Sequence, residues 1–150
     1  MLKIGIITDK NNLKIAKSLV SWSKKNLKKA QFSIVNKSNT ASSILANADH
    51  AIQLVQTKKI DRLICVDDWG IAAFMYIAKF ENFVVAEIND EHSAHMTTEH
   101  NNSNVLSFGS KLTTLDQMQN IITYFANATY EGARHKVRID MMNELVGGCK

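Results

Sequence analysis

R-L-I-C-V at residues 62–66 is a short apolar run, and the polar turn D-D-W-G at 67–70 follows it directly. The next stretch, 71–79, is again apolar and is long enough for a short helix. A strand with one solvated face alternates apolar and polar residues, whereas a continuously apolar run is typical of a strand buried on both faces. The segment therefore predicts a strand, a polar turn and a helix, in that order.

The same order repeats on both sides of this segment. We predict strands at 2–8, 32–36, 62–66, 83–88 and 104–108, and a polar loop at 36–43. We predict one helix that starts near residue 13 and further helices at 44–58, 71–79, 91–99, 113–128 and 131–146. Such alternation is typical of a parallel sheet whose strands are joined by right-handed helical crossovers. The predicted fold class is α/β, a three-layer Rossmann-like fold with a five-stranded parallel sheet flanked by helices and a C-terminal interface helix.

Length and composition exclude several classes of protein. The 150 residues are 45% hydrophobic and 21% charged, which predicts a single globular domain over 1–150 and not a disordered chain. The longest uncharged apolar run, 71–78, is too short to cross a bilayer, and charges interrupt any secretory signal near the N-terminus. The two cysteines, Cys65 and Cys149, are too few for a disulfide scaffold, so we expect a cytoplasmic protein.

The net charge is +4, which raises the question of a nucleic-acid partner. The lysines crowd one early segment that is predicted to be the solvated face of a helix: Lys14, Lys17, Lys24, Lys25, Lys28 and Lys29. A charge run of this kind favours a solvated surface over a groove-binding patch. We therefore expect neither a nucleic-acid nor a membrane partner.

Functional groups in this fold collect where the carboxyl ends of the strands meet. That rule selects Asp9 after the first strand, Asp67 and Asp68 after the third, and Lys111 after the fifth. The absence of a glycine-rich or lysine-containing phosphate loop in the sequence argues against a nucleotide site. Asp67 could act as a general base, while a carboxylate such as Asp68 could equally cap the following helix.

Arg134 and Arg138 lie four residues apart in G-A-R-H-K-V-R, 132–138. On a helix both guanidinium groups project from one face, where they can hold a phosphate dianion through charge-assisted hydrogen bonds. The alternative is two solvated arginines, with Arg138 paired to Asp140 or Glu144. Spacing alone favours the solvated alternative.

His100 and Asn101 end a predicted helix just before the fifth strand. A histidine can transfer protons near neutral pH, and an adjacent amide can stabilise an oxyanion. A histidine in the last helical turn is also an ordinary C-terminal cap. Cysteine and histidine residues do not have zinc-ligand spacing in this sequence, so we expect no metal and no cofactor.

Three segments together resemble a known family: A-E-I-N-D-E-H-S-A from residue 86, H-N-N-S-N-V-L-S-F-G-S from residue 100, and Y-E-G-A-R-H-K-V-R-I-D-M-M from residue 130. The chain resembles the sugar-phosphate isomerases of the type B ribose-5-phosphate isomerase superfamily, and within it the galactose-6-phosphate isomerases. The resemblance extends from the first strand to about residue 145. It is most specific in H-N-N-S-N and G-x-R-H-x-x-R.

The resemblance implies an aldose–ketose interconversion through an enediol, in active sites built from two subunits. It implies that His100 opens the sugar ring, that Asn101 stabilises the enediolate and that Asp9 contacts sugar hydroxyls. The implied phosphate contacts are Arg134, Arg138 and Lys111, the last standing where many relatives have an arginine.

Departures from the family pattern concern the base. Many relatives end the third strand in a cysteine base followed by Gly-Thr-Gly, where this chain has Asp67 and then Asp68-Trp69-Gly70. Cys65 lies two residues too early to replace that cysteine, and Lys10 stands where a histidine commonly follows Asp9. This combination resembles a subunit that acts with a homologous B subunit carrying the base. Two alternatives stay open: a self-sufficient pentose or hexose phosphate isomerase with Asp67 as base, and a non-catalytic sugar-phosphate-binding subunit.

Overall fold

The computed structural model describes residues 1–37 and 43–147. Within these ranges the strands are β1 Leu2–Thr8, β2 Ala30–Ile34, β3 Arg62–Asp67, β4 Val85–Glu87 and β5 Val105–Gly109. The helices are α1 Leu13–Asn26, α2 Ile44–Gln56, α3 Ala72–Ile77, α4 Glu91–Asn101, α5 Leu115–Asn127 and α6 Ala133–Gly147. The predicted alternation of strands and helices is confirmed.

The five strands form one parallel sheet in the order β2-β1-β3-β5-β4. One face of the sheet packs on α1, α4 and α5, and the other face packs on α2 and α3. The central strands β1, β3 and β5 therefore need apolar side chains on both faces, which explains their continuous apolar runs. The predicted three-layer α/β fold is confirmed.

The C-terminal helix α6 packs against α4. Its apolar side chains are largely exposed, with Val137 and Met141 each 60% exposed and Leu145 72% exposed. These three residues recur every four positions, so they line one side of the helix.

Strand β4 is shorter than predicted, three residues instead of the six at 83–88. It is one of the two edge strands, and within the described residues it pairs with β5 alone. Its residues are half-buried. The predicted polar loop at 36–43 falls mainly on 38–42, and Cys149 falls on 148–150, so both lie outside the described residues.

The surface features agree with the charge pattern. All six lysines of the early segment are exposed. Four of them lie on α1 as predicted, whereas Lys28 and Lys29 lie in the turn between α1 and β2. Among the described helices, none combines the length and the apolar character that a membrane crossing requires.

The turn between β3 and α3 lies directly on the end of β5. A Cβ atom on Gly109 would lie 2.6–2.8 Å from backbone atoms of Trp69, and one on Gly70 would lie 2.8–2.9 Å from the backbone of Phe108 and Gly109. Gly70 also has a φ of 78°, which favours glycine, and its carbonyl accepts a 2.6 Å hydrogen bond from the Ser107 hydroxyl. This close approach fixes the turn that carries Asp67 relative to the loop that follows β5.

We expect Gly109→Ala to lower the free energy of unfolding by about 2–3 kcal/mol, the upper end of the usual cost of overpacking, because the added methyl meets rigid backbone. Gly5→Ala is the matched control. Its Cβ would meet side-chain atoms of Ile60 and Val35, at 2.7 and 2.8 Å, which can shift more readily than backbone. Urea denaturation measures both variants, and equal losses would contradict the close backbone approach.

Candidate functional site

A cluster of polar groups joins the carboxyl ends of β1 and β3. Oδ1 of Asp9 accepts hydrogen bonds from the backbone N–H and the side-chain amide of Asn12, both at 2.9 Å. The same amide nitrogen donates to Oδ1 of Asp68 at 2.8 Å. Asn12 is only 3% exposed, so it acts as a buried bridge between the two carboxylates. Because β1 connects to β2 on one side and pairs with β3 on the other, this is the switch point where ligands bind in open α/β sheets.

Asp67 ends β3 and is 6% exposed. Its Oδ1 accepts a hydrogen bond from the N–H of Trp69 at 2.8 Å and another from the N–H of Gly70. Its Oδ2 is buried, with no hydrogen-bond partner among the described residues. A carboxylate held by one oxygen and unpartnered at the other has a lone pair available to accept a proton.

The predicted helix cap at this turn is wrong. Helix α3 has Ile71 at its N-cap position with no side-chain hydrogen bond. The Asp67 carboxylate caps the turn itself, and Asp68 is bound by Asn12. Gly70 at positive φ separates the turn from the helix, so neither carboxylate reaches the first helical N–H groups.

Cys65 faces the core between the sheet and helices α2 and α3, and it is fully buried. Burial raises the pKa of its thiol well above the usual value, and the nearby Asp67 carboxylate raises it further. The thiolate form is therefore strongly disfavoured. Cys65 is therefore a packing residue of this core.

Lys111 lies in the loop after β5. Its backbone N–H donates to the carbonyl of Asp68 at 3.0 Å, and the preceding N–H of Ser110 donates to the carbonyl of Asp67 at 2.8 Å. These bonds join the loop to the β3–α3 turn. The Lys111 side chain is exposed, so its ammonium group is available at the carboxyl edge of the sheet.

A second cluster surrounds the end of α4. The rings of His100 and His135 are stacked, with their centroids 4.0 Å apart and their planes 7° apart. Nε2 of each ring lies 3.9 Å from Oε2 of Glu131, and Nε of Arg134 donates to Nε2 of His135 at 3.3 Å. His100 does not cap the helix, because the C-cap is Asn102 in the left-handed conformation.

The remaining predicted residues lie around this second cluster. Asn101 is exposed, and its amide is 3.5 Å from the Thr97 hydroxyl. Arg138 is exposed one turn beyond Arg134. Asp140 is paired with Lys136, and among the described residues no ion pair joins Arg138 to Asp140 or Glu144.

His135 has a strongly positive environment. Its side chain is 7% exposed, and burial lowers its pKa; the neighbouring His100, Arg134 and Arg138 lower it further, while Glu131 opposes them. The lowered pKa favours the neutral form of this imidazole. Such a site gains by binding an anion, because an anion relieves the repulsion among these groups.

One ligand-type set exists among the described residues: nitrogen and oxygen atoms of His100, Glu131 and His135 lie within 4.8 Å of one another. Such donors can hold a metal ion. Here, however, Arg134 donates to the His135 nitrogen whose lone pair a metal would need. The set is therefore better suited to an anion than to a cation.

The two clusters lie at opposite edges of the sheet. Asp9, Asp67 and Lys111 follow the carboxyl ends of their strands, whereas α4 runs back from that edge and ends at His100. Arg62 at the start of β3 donates to the carbonyls of Phe125 and Ala128, which places the end of α5 at the amino edge as well. Eleven helical residues at 1.5 Å each separate the ends of α4 by about 16 Å.

We call these groups the carboxyl-edge cluster (Asp9, Asn12, Asp67, Asp68, Lys111) and the amino-edge cluster (His100, Asn101, Glu131, Arg134, His135, Arg138). The distance between them exceeds the length of a sugar phosphate. The structure thus brings His100 together with Arg134, but within one chain it brings neither to Asp67.

Sequence reasoning did not find Asn12 or Glu131. Asn12 belongs to an ordinary polar turn, and nothing local indicates that it binds carboxylates from two strands. Glu131 adjoins the G-x-R-H-x-x-R motif, and that position was the one available signal.

Comparison with known proteins now places the chain in a family. Residues 4–142 match the family model described as Ribose/Galactose Isomerase, so the chain belongs to that family of isomerases. Structurally it is similar to ribose-5-phosphate isomerase B of Clostridium thermocellum, with a TM-score of 0.86 at 21% identity over 99% of this chain and 100% of that one. The type B enzyme of Trypanosoma brucei gives a TM-score of 0.87 at 22% identity, covering 97% and 99%. These likenesses confirm the fold.

Sequence relatives are more specific. The chain is 30% identical over 146 residues to the galactose-6-phosphate isomerase subunit LacA of Clostridium acetobutylicum, covering 97% of this chain and 100% of the relative. It is 36% identical over 113 residues to the subunit of the same name in Enterococcus faecalis, covering 75% and 80%. The resemblance inferred from the motifs is thus confirmed.

We expect the neutral state of His135 to make stability depend on pH. Its folded-state pKa lies below the value of about 6.5 for an unfolded histidine, so below that pH the folded state binds fewer protons than the unfolded state. The contribution of neutral His135 to the free energy of unfolding is complete above about pH 6.5, and it is lost as the pH falls through the folded-state pKa. The stability difference between wild type and His135→Asn, from denaturation at pH 7.5 and pH 5, should therefore shrink at the lower pH.

NMR titration provides the direct measurement. The titration midpoint of His135 should lie below the ordinary value, and Arg134→Gln should raise it by removing one positive neighbour. A midpoint above the ordinary value would contradict the positive environment of the amino-edge cluster.

Proposed function

We propose that this chain is a subunit of a cytoplasmic aldose–ketose isomerase that interconverts D-galactose 6-phosphate and D-tagatose 6-phosphate, and that it acts with a homologous B subunit. The observation that carries the proposal is the amino-edge cluster, which combines a proton-transferring histidine with arginines suited to a phosphate. Relatives named as galactose-6-phosphate isomerase subunits support the choice of sugar.

The spatial separation of the two clusters supports an active site between subunits. The family pattern puts the base at the end of the third strand, and in this chain that position, Asp67, belongs to the carboxyl-edge cluster. The length of α4, about 16 Å, separates that edge from the amino-edge cluster of the same chain. A neighbouring subunit that presents its carboxyl edge would complete the site. The exposed apolar side of α6, which starts within the amino-edge cluster, offers a surface for that subunit or for a second copy of this chain.

In the proposed reaction Arg134 and Arg138 bind the 6-phosphate, and His100 transfers the proton that opens the sugar ring. The base then removes the proton from C2 of the open aldose and returns it to C1. O1 gains a proton when the enediol forms. The O2 hydroxyl loses its proton when the enediol becomes the ketose. The side-chain amide of Asn101 donates a hydrogen bond to the enediolate oxygen and so stabilises it.

At the carboxyl edge of this chain, Asp9 would contact sugar hydroxyls and Lys111 the phosphate of a substrate bound there. In the two-subunit proposal the base comes from the B subunit. The buried, unpartnered Oδ2 of Asp67 favours a second candidate function, a self-sufficient isomerase of pentose or hexose phosphates in which Asp67 of one copy is the base.

A coupled assay with galactose 6-phosphate separates these proposals. We expect little turnover from the purified chain and full turnover after mixing with its B subunit. In that assembly His100→Asn should lower kcat by about 100-fold or more, the usual scale of a general acid, while Asp67→Asn should change it less than about threefold. His92→Asn, at an exposed histidine in the first turn of α4, is the matched control.

Full turnover by the chain alone, abolished by Asp67→Asn, would replace the two-subunit proposal with the self-sufficient isomerase. Phosphate binding that Arg134→Ala weakens, without hydrogen exchange at the substrate carbon in any assembly, would indicate a non-catalytic binding subunit.

Cys65 should be dispensable. Because the buried thiol has a raised pKa, we expect it to resist Ellman's reagent in a folded Cys149→Ser background and to react on unfolding. Cys65→Ala should keep kcat within about twofold in the assembled enzyme, whereas removal of a catalytic acid or base usually lowers kcat by about 100-fold or more. Loss of activity with an unchanged melting temperature would show that Cys65 takes part in the reaction.

A further inference from the structure

The stacked rings of His100 and His135 come from different helices, the last turn of α4 and the first turn of α6. Glu131 precedes α6 and is bound to α4 by its backbone, since its N–H donates to the carbonyl of Glu99 at 3.0 Å. That bond places the Glu131 carboxylate beside both rings, with Oε2 at 3.9 Å from each Nε2. One carboxylate therefore faces two imidazoles.

The hydrogen bond from Arg134 decides which imidazole can donate to it. A guanidinium Nε always carries a hydrogen, so Nε2 of His135, which receives it, is the acceptor nitrogen of that ring. Neutral His135 then carries its hydrogen on Nδ1, which is buried and without a partner among the described residues. His135 thus has no hydrogen on Nε2 to offer to Glu131.

His100 has no such competitor. Across the described part of the chain, the contact of its Nε2 is with Glu131, and no hydrogen bond is made by its Nδ1. Its ring is 30% exposed, so the carboxylate and Nε2–H can close to hydrogen-bond distance by a small side-chain rotation. In that tautomer Nδ1 has the free lone pair.

We propose that Glu131 is a positioning residue for His100: its carboxylate accepts the Nε2 hydrogen and so leaves Nδ1 as the nitrogen that exchanges protons with the substrate. The inference rests on the proposed isomerase function, since it assigns His100 the ring-opening step. The charged groups that act on His135 are Glu131 from the loop before α6 and Arg134 and Arg138 from α6. Of these, Glu131 also lies beside His100. On α4, Glu99 is engaged with His95 instead.

The test is Glu131→Gln in the assembly that turns over sugar phosphate. Glu131 is 56% exposed, so the variant should fold with an unchanged melting temperature. We expect kcat to fall about 10- to 100-fold, the scale seen when a residue that orients an active-site histidine is removed, with KM changed less than twofold. Glu131→Asp, which keeps the charge, should recover part of kcat.

The matched control is Glu99→Gln. It removes a carboxylate that also pairs with a histidine of α4, at 2.7 Å from His95, and it should leave kcat within twofold.

Nitrogen-15 NMR of the histidine side chains gives a readout that does not depend on activity. His100 should be an Nε2–H tautomer in the wild type and a mixture in Glu131→Gln, while His135 stays the Nδ1–H tautomer. Loss of the Glu131 charge should also lower the pKa of His135 further, because that charge raises it.

Unchanged His100 tautomer and kcat in Glu131→Gln would overturn the inference, and so would a raised KM with constant kcat, which would make Glu131 a substrate-binding residue. A wild-type chain that shows the Glu131-dependent tautomer but turns over no sugar phosphate with any partner would overturn the isomerase proposal instead. The two failures are therefore distinguishable.

Discussion

All five strands run in the same direction, and this constraint governs where every functional group lies. A parallel sheet requires each connection to return from the carboxyl edge to the amino edge, and here helices make those returns. Groups that follow strands, such as Asp9 and Asp67, therefore collect at one edge. Groups that follow helices, such as His100 at the end of α4 and Glu131 after α5, collect at the other. Within one chain the two sets stay apart, which is the reason for proposing an active site that two subunits share.

The two clusters differ in how they are held. At the carboxyl edge the backbones of the β3–α3 turn and the end of β5 meet without room for a Cβ at Gly70 or Gly109, and Asn12 joins the carboxylates across two strands. Packed backbone and buried hydrogen bonds thus hold Asp67 and Asp68 in place. At the amino edge, Arg134 and Arg138 disfavour the charged form of His135, and the exposed Glu131 carboxylate offsets part of their charge. An arrangement of this kind is suited to binding an anion.

Local patterns predicted most of the fold. The continuous apolar runs at β1, β3 and β5 identified central strands, because only a strand covered on both faces needs them. The prediction was less accurate at β4, whose edge position shortens its pairing, and at β2, which covers Ala30–Ile34 instead of 32–36. The candidate residues His100 and Arg134 could be selected from motifs. Their contact through His135 could not, because it joins helices separated by more than thirty residues of chain.

The amino-acid sequence by itself determined the order of the elements, the burial of the central strands and membership of an isomerase family, since each depends on local composition or on a contiguous motif. Only the tertiary structure decided which of the candidate residues meet. It put Asp67 and His100 at opposite edges, and it placed the Glu131 carboxylate beside two stacked imidazoles. It also left one buried oxygen of Asp67 without a hydrogen-bond partner in the described part of the chain. These relations arise from long-range packing, in which hydrogen bonds and close backbone contacts join residues that no local pattern connects.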